Sequence, residues 1–278
     1  MRVIGALWLR NVRLFARNRV QLLLLFIMPF FYLYLLSAIF KSTSVSQPIP
    51  YVLAGIVMIV VFQTSLNIAT STIEDIVSGY MKEVLVSPVR RISIVVGQIL
   101  SSTTVAAFQA FLILAVGYAL GLTYTSMVTP IAIAGFVVLA GLVFSSFGLW
   151  LAASVRNSQT FQIVSVAVTT PITFLCGVYV PLSLLPEGLQ TAALLNPMTY
   201  AAAFFRALSL EKLSLPADEL VAEQLAFRFH GVLITPVTGL IILAVFGLIC
   251  AMLSAIAFTR ADFSAMNRSA IQKDVFQQ

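Results

Sequence analysis

Charge is the scarcest property of this sequence. Only 9% of its 278 residues are Asp, Glu, Lys or Arg, whereas about 25% is usual for a soluble domain. The charges are also bunched, so that residues 42–73, 92–155, 157–186 and 229–259 carry none. Each of these runs is longer than the roughly 20 apolar residues that one membrane-spanning helix needs. The composition therefore predicts an integral membrane protein that crosses the bilayer several times.

Groups that would indicate catalysis or ion coupling are scarce as well. The motif Gly-x-x-x-x-Gly-Lys-[Ser/Thr], which cradles nucleotide phosphates, does not occur in the chain. The single histidine, His230, falls at a predicted junction between a loop and a span. The predicted spans are nearly free of the carboxylates that an ion-coupled carrier would be expected to keep. We therefore expect no catalytic residue, no metal site and no cofactor bound by this chain.

The two cysteines and the formal charge of +6 fit a membrane protein. Cys176 and Cys250 lie inside apolar segments, where a thiol behaves as a small hydrophobic group, and two cysteines are too few for a disulfide framework. The cations lie beside long apolar runs, where they act as membrane anchors and topology signals. We therefore expect a lipid bilayer around the chain and no nucleic-acid partner.

Residues 1–19 predict an amphipathic helix that lies on the membrane surface. Arginines occupy one side of its helical wheel and apolar side chains the other, so the helix can bind lipid phosphates and insert its apolar stripe. An ordinary cytoplasmic tail is the alternative. The arginines are Arg2, Arg10, Arg13 and Arg17, and the apolar side chains are Ile4, Leu7, Trp8, Val12 and Phe15.

The apolar runs predict six membrane-spanning helices. Pro29 is expected to kink the first of them because it leaves one backbone carbonyl unpaired. Leu189–Leu195 is too short to cross a bilayer, so we interpret it as a re-entrant or interfacial segment between spans five and six. The spans are Val20–Phe40, Tyr51–Ile73, two within Ile92–Val155, one from Thr160 to about Val180, and Gly231–Phe258.

Six spans place both termini on the same side of the membrane. Lysine and arginine mark the cytoplasmic side, and all but four of the 16 fall on the side that holds the termini. We therefore expect one membrane domain, 1–278, with a surface helix at 1–19, spans within 20–258 and a cytoplasmic tail at 259–278. The four exceptions are Lys41, Arg206, Lys212 and Arg228.

Two loop motifs resemble the ABC type-2 exporter permease family. After span two, that family carries an acidic residue, a glycine, a basic-acidic pair, an apolar triplet and then small-Pro-apolar-x-Arg. This order is matched at Gly79, Lys82, Glu83, Pro88 and Arg91. The second motif, between spans five and six, is the more specific one, although an extracellular cap is an alternative role for it. It is matched at Gly177, Pro181, Pro186, Asn196, Pro197, Tyr200 and Arg206.

The resemblance implies an all-α membrane fold with a defined set of partners. A homodimer or a heterodimer of permeases would bind two cytoplasmic ABC ATPase subunits, and these would hold ATP and Mg. The stretch 74–88 would act as a cytoplasmic coupling helix in a groove of each ATPase. A solvated loop that only fixes the topology is the alternative. The residues implied in ATPase coupling are Glu74, Asp75, Gly79, Lys82, Glu83, Pro88 and Arg91.

Spans one, two and five are expected to line a pathway that opens when the ATPases close and the two permeases rock against each other. Aromatic and weakly polar walls suit lipophilic cargo or stacked sugars. For each aromatic side chain, helix packing or lipid contact is the alternative. The candidates are Phe30, Phe31, Tyr32, Tyr34, Gln63, Asn67, Phe161, Gln162 and Phe174.

Together, these expectations predict a permease subunit of an ATP-driven exporter in the bacterial plasma (inner) membrane. The subunit would perform no bond chemistry itself. The expected cargo is a lipophilic drug or hydrophobic metabolite, and a lipid-linked polysaccharide or glycolipid is the alternative. An ATP-independent carrier or channel is the alternative from another class of protein, and copurification of an ATPase would separate it from the exporter.

Overall fold

The computed structural model describes a mostly helical chain. The described residues are 2–40, 48–77, 90–119, 122, 124–155, 157–180, 182–229 and 232–260. The helices are α1 (Arg2–Arg17), α2 (Arg19–Phe40), α3 (Pro48–Val77), α4 (Arg91–Ala119), α5 (Val128–Ser154), α6 (Ser158–Leu175), a 3-10 turn (Leu182–Leu184), α7 (Glu187–Leu194), α8 (Pro197–Ser209), α9 (Ala217–Ala222) and α10 (Pro236–Arg260). The strands β1 (Phe227–Phe229) and β2 (Val232–Ile234) form an antiparallel hairpin.

That hairpin is a correction to the predicted all-α fold. Each strand is short and rich in the aromatic and branched aliphatic residues that favour extended backbone, because β1 reads Phe-Arg-Phe and β2 reads Val-Leu-Ile. Three-residue strands lie below the length at which alternation stands out in a sequence that is hydrophobic throughout. His230 and the predicted tail beyond residue 260 lie outside the described residues.

Within the described residues, four helices are long and apolar enough to cross a membrane. They are α3, α4, α5 and α10. Helices α1 and α2 are bent by 76° relative to each other, and if this pair counts as one span the number of candidate spans rises to five. The 18-residue α6 is not among them. Its sequence is rich in serine, threonine and glutamine, which lower its hydropathy. The predicted layout of six spans is therefore supported in part, as four or five candidates.

Helix α3 forms the centre of the bundle. Every residue from Tyr51 to Phe62 is buried, and 88% of the most apolar stretch of α3 is buried inside the protein. In α10 the corresponding fraction is only 22%. A helix that is apolar on all sides and largely uncovered is suited to lipid contact. Its exposed side chains include Val237, Ile241, Val245, Leu248, Ile249, Met252 and Ile256.

Three serines join the central helices α3, α4 and α5. The Ser145 hydroxyl contacts the Ser102 hydroxyl at 2.8 Å and the Ser65 hydroxyl at 3.3 Å. The Ser102 hydroxyl also donates to the backbone carbonyl of Ser65 at 3.4 Å. Small residues let helix backbones approach closely in a membrane, and their hydroxyls then hydrogen-bond between helices. Gly148 completes this contact, because a Cβ there would lie 3.2 Å from the same carbonyl.

Helix α1 is fixed against α4. Leu7 is buried in a small cluster with Ile94 and Val95, and the indole nitrogen of Trp8 donates to the Thr104 hydroxyl at 2.9 Å. The helix predicted for residues 1–19 is therefore present. At Leu7 its apolar side packs on protein, whereas the amphipathic pattern alone predicts insertion into lipid.

Two short helices occupy the predicted re-entrant region. Helix α7 includes most of Leu189–Leu195 and is largely exposed, whereas every residue of α8 from Met198 to Ser209 is buried. With 13 residues, α8 is too short to span a bilayer. The sequence analysis did not identify this buried helix, because the motif residues that it contains, Pro197, Tyr200 and Arg206, were interpreted as part of a loop.

Glu211 connects the end of α8 to the start of α5. Its backbone has a φ of 56°, a left-handed conformation that is uncommon for glutamate. Its carboxylate accepts hydrogen bonds from the Thr129 hydroxyl at 2.7 Å and from the amides of Thr125 and Ser126 at 3.1 and 3.2 Å. These hydrogen bonds, led by that of Thr129, lower the pKa of Glu211 to about 2. Glu211 thus supplies the missing hydrogen-bond acceptor and a negative charge at the first turn of α5.

Replacing Glu211 by glutamine should destabilise the protein in a pH-dependent way. The lowered pKa means that the carboxylate stabilises the folded state fully above pH 4.5 and loses this effect as the pH falls towards 2. The melting temperature of Glu211→Gln should therefore lie below that of the wild type at pH 7. The difference should shrink between pH 4.5 and 2. Thermal unfolding of the purified protein across this range measures it.

The exposed carboxylate of Glu219 provides the matched control. Glu219→Gln should leave the melting temperature at pH 7 close to that of the wild type, because no set of hydrogen-bond donors like that of Glu211 surrounds this exposed side chain in the described structure. A Glu211→Gln difference that stays constant down to pH 2 would show that the charge of Glu211 does not cap α5.

Candidate functional site

One stripe of α3 remains uncovered, and it is polar. Gln63, Asn67 and Glu74 are exposed, and Thr70 and Ser71 are half-buried. Their spacing of three to four residues places them along one side of the helix. Polar side chains on an otherwise buried membrane helix need water or another polar surface beside them. The stripe therefore marks the candidate functional surface.

A cleft of about 800 Å³ lies beside the Asn67–Glu74 part of this stripe, between α1, α3 and α6. Seven of its eleven lining residues carry an amide or a hydroxyl, so we name it the amide cleft. Such walls both donate and accept hydrogen bonds. The amides are Asn11, Asn18, Asn67 and Gln162, the hydroxyls are Thr70, Ser71 and Ser165, the carboxylate is Glu74, and the apolar side chains are Leu14, Phe15 and Val166.

Four aromatic rings meet at the C-terminal end of α6, away from the α6 residues that line the amide cleft, and we name them the aromatic cluster. The ring of Tyr32 in α2 lies 5.7 Å from that of Tyr179, which follows α6, and 6.1 Å from that of Phe31. Phe174 in α6 lies 5.2 Å from Tyr179. The rings of Phe31 and Phe174 are more than half exposed, at 56% and 55%. The aromatic cluster thus combines contacts between α2 and α6 with exposed aromatic surface.

The structure divides the predicted pathway residues into two groups. Phe161 is fully buried in the main core, and Phe30 lines a narrow gap between α2, α3 and α4. These two side chains serve helix packing, the alternative that the sequence left open. The remaining seven are exposed: Phe31, Tyr32, Tyr34, Gln63, Asn67, Gln162 and Phe174.

The end of α3 is bound to α1 by a bidentate ion pair. Two guanidinium nitrogens of Arg10 donate to the two carboxylate oxygens of Asp75 at 2.5 and 2.6 Å. Beside it, the Asn11 amide donates to Gln98 at 2.5 Å and to Ser101 at 2.9 Å. Arg10 therefore points into the protein, although the helical wheel grouped it with arginines expected at lipid phosphates. Parallel hydrogen bonds of this kind also fix the angle between the two groups.

The predicted ATPase-coupling residues have different surroundings. Asp75 is buried against Arg10, and its neighbour Glu74 lines the amide cleft. Arg91 donates to the backbone carbonyls of Phe258 and Thr259, at the end of α10, at 3.2 and 3.0 Å, where a cation is favourable. A coupling role for these residues stays a prediction. Gly79, Lys82, Glu83 and Pro88 lie outside the described residues.

The second loop motif is built around a buried arginine. Arg206 in α8 is only 2% exposed. It donates to the carbonyl of Gly177 at 3.0 Å, and its guanidinium carbon lies 4.0 Å from the ring centroid of Tyr51. A cation above an aromatic ring is stabilised more strongly when water is excluded. Gly177 itself has a φ of 76°, which other side chains rarely adopt.

The other motif residues shape the turn that leads into α8. Asn196 accepts a hydrogen bond from the amide of Met198 at 3.0 Å and donates to the carbonyl of Ile172, in α6, at 2.7 Å. Pro197 is the first helical residue, where its missing N–H costs nothing. The Tyr200 hydroxyl donates to the carbonyl of Leu194. The motif thus joins α6, α7 and α8, while Pro186 precedes α7 and Pro181 lies outside the described residues.

The sequence analysis missed two residues of this arrangement, Tyr51 and Gly55. Gly55 leaves room for the loop after α6 to approach α3, because a Cβ there would lie 2.6 Å from Val178 and 2.9 Å from the guanidinium of Arg206. No local motif marks either residue, since both lie inside a long apolar run. The only signal was the glycine itself within a helical pattern.

Comparison with known proteins gives a family match that covers the whole site. The sequence model of the ABC-2 type transporter family matches residues 2–210. Over 191 residues the chain is 25% identical to the putative transport permease ycf38 of Cyanophora paradoxa, which covers 66% of each protein. Over 157 residues it is 27% identical to the inner membrane transport permease YadH of Escherichia coli K12, covering 56% of this chain and 60% of YadH.

A third relative is nodulation protein J of Rhizobium leguminosarum bv. trifolii. It is 32% identical over 117 residues, which make up 42% of this chain and 44% of that protein. The matched part of the chain spans less than two thirds of the length of each of these three relatives.

Replacing Gly55 by alanine should destabilise the contact between α3 and Arg206. The added methyl group would overlap Val178, and overpacking of this kind costs about 1–3 kcal/mol. Gly135, in α5, provides the matched control, because a Cβ there meets nothing within 4 Å. Thermal unfolding of the two purified variants measures the effect. Equal melting temperatures for Gly55→Ala and Gly135→Ala would contradict the close approach at Gly55.

Proposed function

Because the chain belongs to the ABC-2 type transporter family, we propose that it is the membrane permease subunit of an ATP-driven exporter. The family predicted from the two loop motifs is thereby confirmed. The proposed cargo is a lipophilic compound that leaves the cytoplasm or the inner leaflet. The observation that supports this function best is the polar stripe of α3 beside the amide cleft, because such a surface is costly in an apolar bundle unless something polar passes or packs there.

We propose that ATP and Mg are held by a separate cytoplasmic ATPase, present in two copies. The chain has no phosphate-binding motif of its own. The stretch that follows α3 would contact the ATPase, and the bidentate pair of Arg10 and Asp75 would carry a movement of that stretch to α1. Since α1 and α3 are both walls of the amide cleft, the same movement would change the width of the cleft.

The open side of α3 and α6 is the proposed contact between two permeases. It differs from the aliphatic surface of α10, which suits lipid. A homodimer or a heterodimer would enclose the amide cleft and the aromatic cluster between two copies of the bundle. The proposed spans are α2, α3, α4, α5, α6 and α10, with both termini in the cytoplasm and the chain in a bacterial plasma membrane.

A second candidate cargo is a lipid-linked polysaccharide or glycolipid. The walls of the amide cleft favour it, because amides and hydroxyls pair well with sugar hydroxyls. The open rings of the aromatic cluster could stack on sugar faces in the same way. Transport of labelled drugs and of labelled glycolipids by the same reconstituted complex would decide between the two cargoes.

Gentle purification of the chain from its native membrane tests the function itself. A protein with a nucleotide-binding motif should copurify and hydrolyse ATP, and ATP should then drive transport in vesicles. Absence of any ATPase across several detergents would instead favour an ATP-independent carrier or channel.

Reversing the charge of Glu83 should uncouple ATP hydrolysis from transport. In the family motif this carboxylate lies where the ATPase is proposed to dock, and a misplaced charge at an interface costs several kcal/mol. Transport by the Glu83→Arg complex should therefore fall by about tenfold or more, while the melting temperature of the permease stays unchanged. Transport and ATP hydrolysis are measured on the same vesicles.

The control for this experiment is Glu219→Gln, in the loop proposed to lie across the membrane. It should leave ATPase binding and stimulation at the wild-type level. Unchanged transport in Glu83→Arg would remove the coupling assignment, and loss of ATPase binding in Glu219→Gln would mean that the topology is inverted.

A further inference from the structure

The amide cleft contains one ionisable side chain among its described lining residues, and that side chain is negative. Glu74 lines the cleft and is exposed, and it forms no salt bridge within the described residues. None of the described arginines lines the cleft. Arg10 is already paired with Asp75, and Arg13 and Arg17 are exposed without lining the cleft. A ligand in the cleft therefore meets a carboxylate and a ring of neutral dipoles.

The aromatic cluster at the other end of α2 and α6 favours the same sign of charge. The faces of aromatic rings carry a partial negative charge and attract cations, whereas they repel anions. Phe31 and Phe174 expose more than half of their surface, and Tyr32 exposes 38%. A positive ligand would therefore find favourable surroundings in the amide cleft and again at the aromatic cluster.

Exposed aliphatic side chains next to the amide cleft provide room for an apolar body. Leu14 in α1 and Val166 in α6 both line the cleft, and they are 51% and 65% exposed. An amphiphile could thus place its polar end near Glu74 while its apolar part contacts these side chains.

We infer that the cargo of this permease is an amphiphilic organic cation, whose positive group binds beside Glu74 in the amide cleft and then passes the aromatic cluster. This inference rests on the proposed export function and narrows it to a class of substrate. Neutral amides and hydroxyls orient the ligand, while Glu74 sets the sign of the charge. An anionic amphiphile of the same shape is excluded by repulsion from Glu74 and from the ring faces.

A pair of ions with the same shape and opposite charge tests the inference directly. Tetraphenylphosphonium and tetraphenylborate have nearly the same size, so that a difference between them reports charge alone. The full chain is placed in nanodiscs of zwitterionic phosphatidylcholine, and binding of each ion is measured by equilibrium dialysis after subtraction of empty nanodiscs. We expect saturable binding of tetraphenylphosphonium and no binding of tetraphenylborate above the empty nanodiscs.

Variants of Glu74 assign the binding to the amide cleft. Glu74→Gln keeps the shape and removes the charge, and it should weaken tetraphenylphosphonium binding by roughly two- to fivefold, as expected for an exposed ion pair. Glu74→Asp should retain most of the affinity. Glu187→Gln, which removes an exposed carboxylate on α7, should bind as the wild type does.

Three results would overturn the inference. The first is equal binding of the two ions, and the second is wild-type affinity for tetraphenylphosphonium in Glu74→Gln. The third is that the neutral sugar amphiphile dodecyl maltoside binds more tightly than tetraphenylphosphonium, with an affinity that Glu74→Gln leaves unchanged. The measurement needs no ATPase, so its failure is distinct from failure of the exporter proposal. If an ATPase copurifies with the chain but the chain binds the two ions equally, the proposed exporter function stands and only the inferred cationic cargo is rejected.

Discussion

Burial of α3 on nearly every side is the constraint on which the rest of the structure depends. From Tyr51 to Phe62 no side of the helix is open, so the neighbouring helices must be shaped to fit it. They approach it through small residues, as at Gly117, where a Cβ would lie 2.5 Å from Leu53. Only beyond Phe62 does one side open, and the residues there are polar. The candidate site is thus the part of α3 that packing leaves uncovered.

Two arginines hold α3, one towards each end, and Arg206 is buried whereas Arg10 is half-buried. Arg206 covers the ring of Tyr51 near the start of the helix, and Arg10 pairs with Asp75 near its end. Burying a cation in apolar surroundings is expensive unless its charge is compensated and hydrogen-bonded. Here the compensation comes from an aromatic ring with a backbone carbonyl in one case and from a carboxylate in the other. Both arginines therefore stabilise a defined position of α3 against its neighbours.

Much of the fold and part of the site could be predicted from the sequence. Long uncharged runs predicted the apolar helices, and the two loop motifs predicted the family. Hydrophobicity did not predict which face of a helix is covered, because in these helices buried and exposed positions are both apolar. Phe161 and Phe174 both belong to α6, yet Phe161 lies in the core and Phe174 is exposed. The inward turn of Arg10 depends on Asp75, 65 positions away, which no local pattern reveals.

The two arginine contacts also have a mechanical consequence. Tyr51 and Asp75 lie about 36 Å apart along a continuous helix, at about 1.5 Å per residue, and no proline interrupts α3 after Pro50. A helix of this kind behaves as a stiff rod with a pivot at one end. A rotation of about 5° around Arg206 would displace the Asp75 end by about 3 Å, as follows from this length. Small angular changes at the Tyr51 end are thus amplified into shifts at the Asp75 end that are as large as the length of a hydrogen bond.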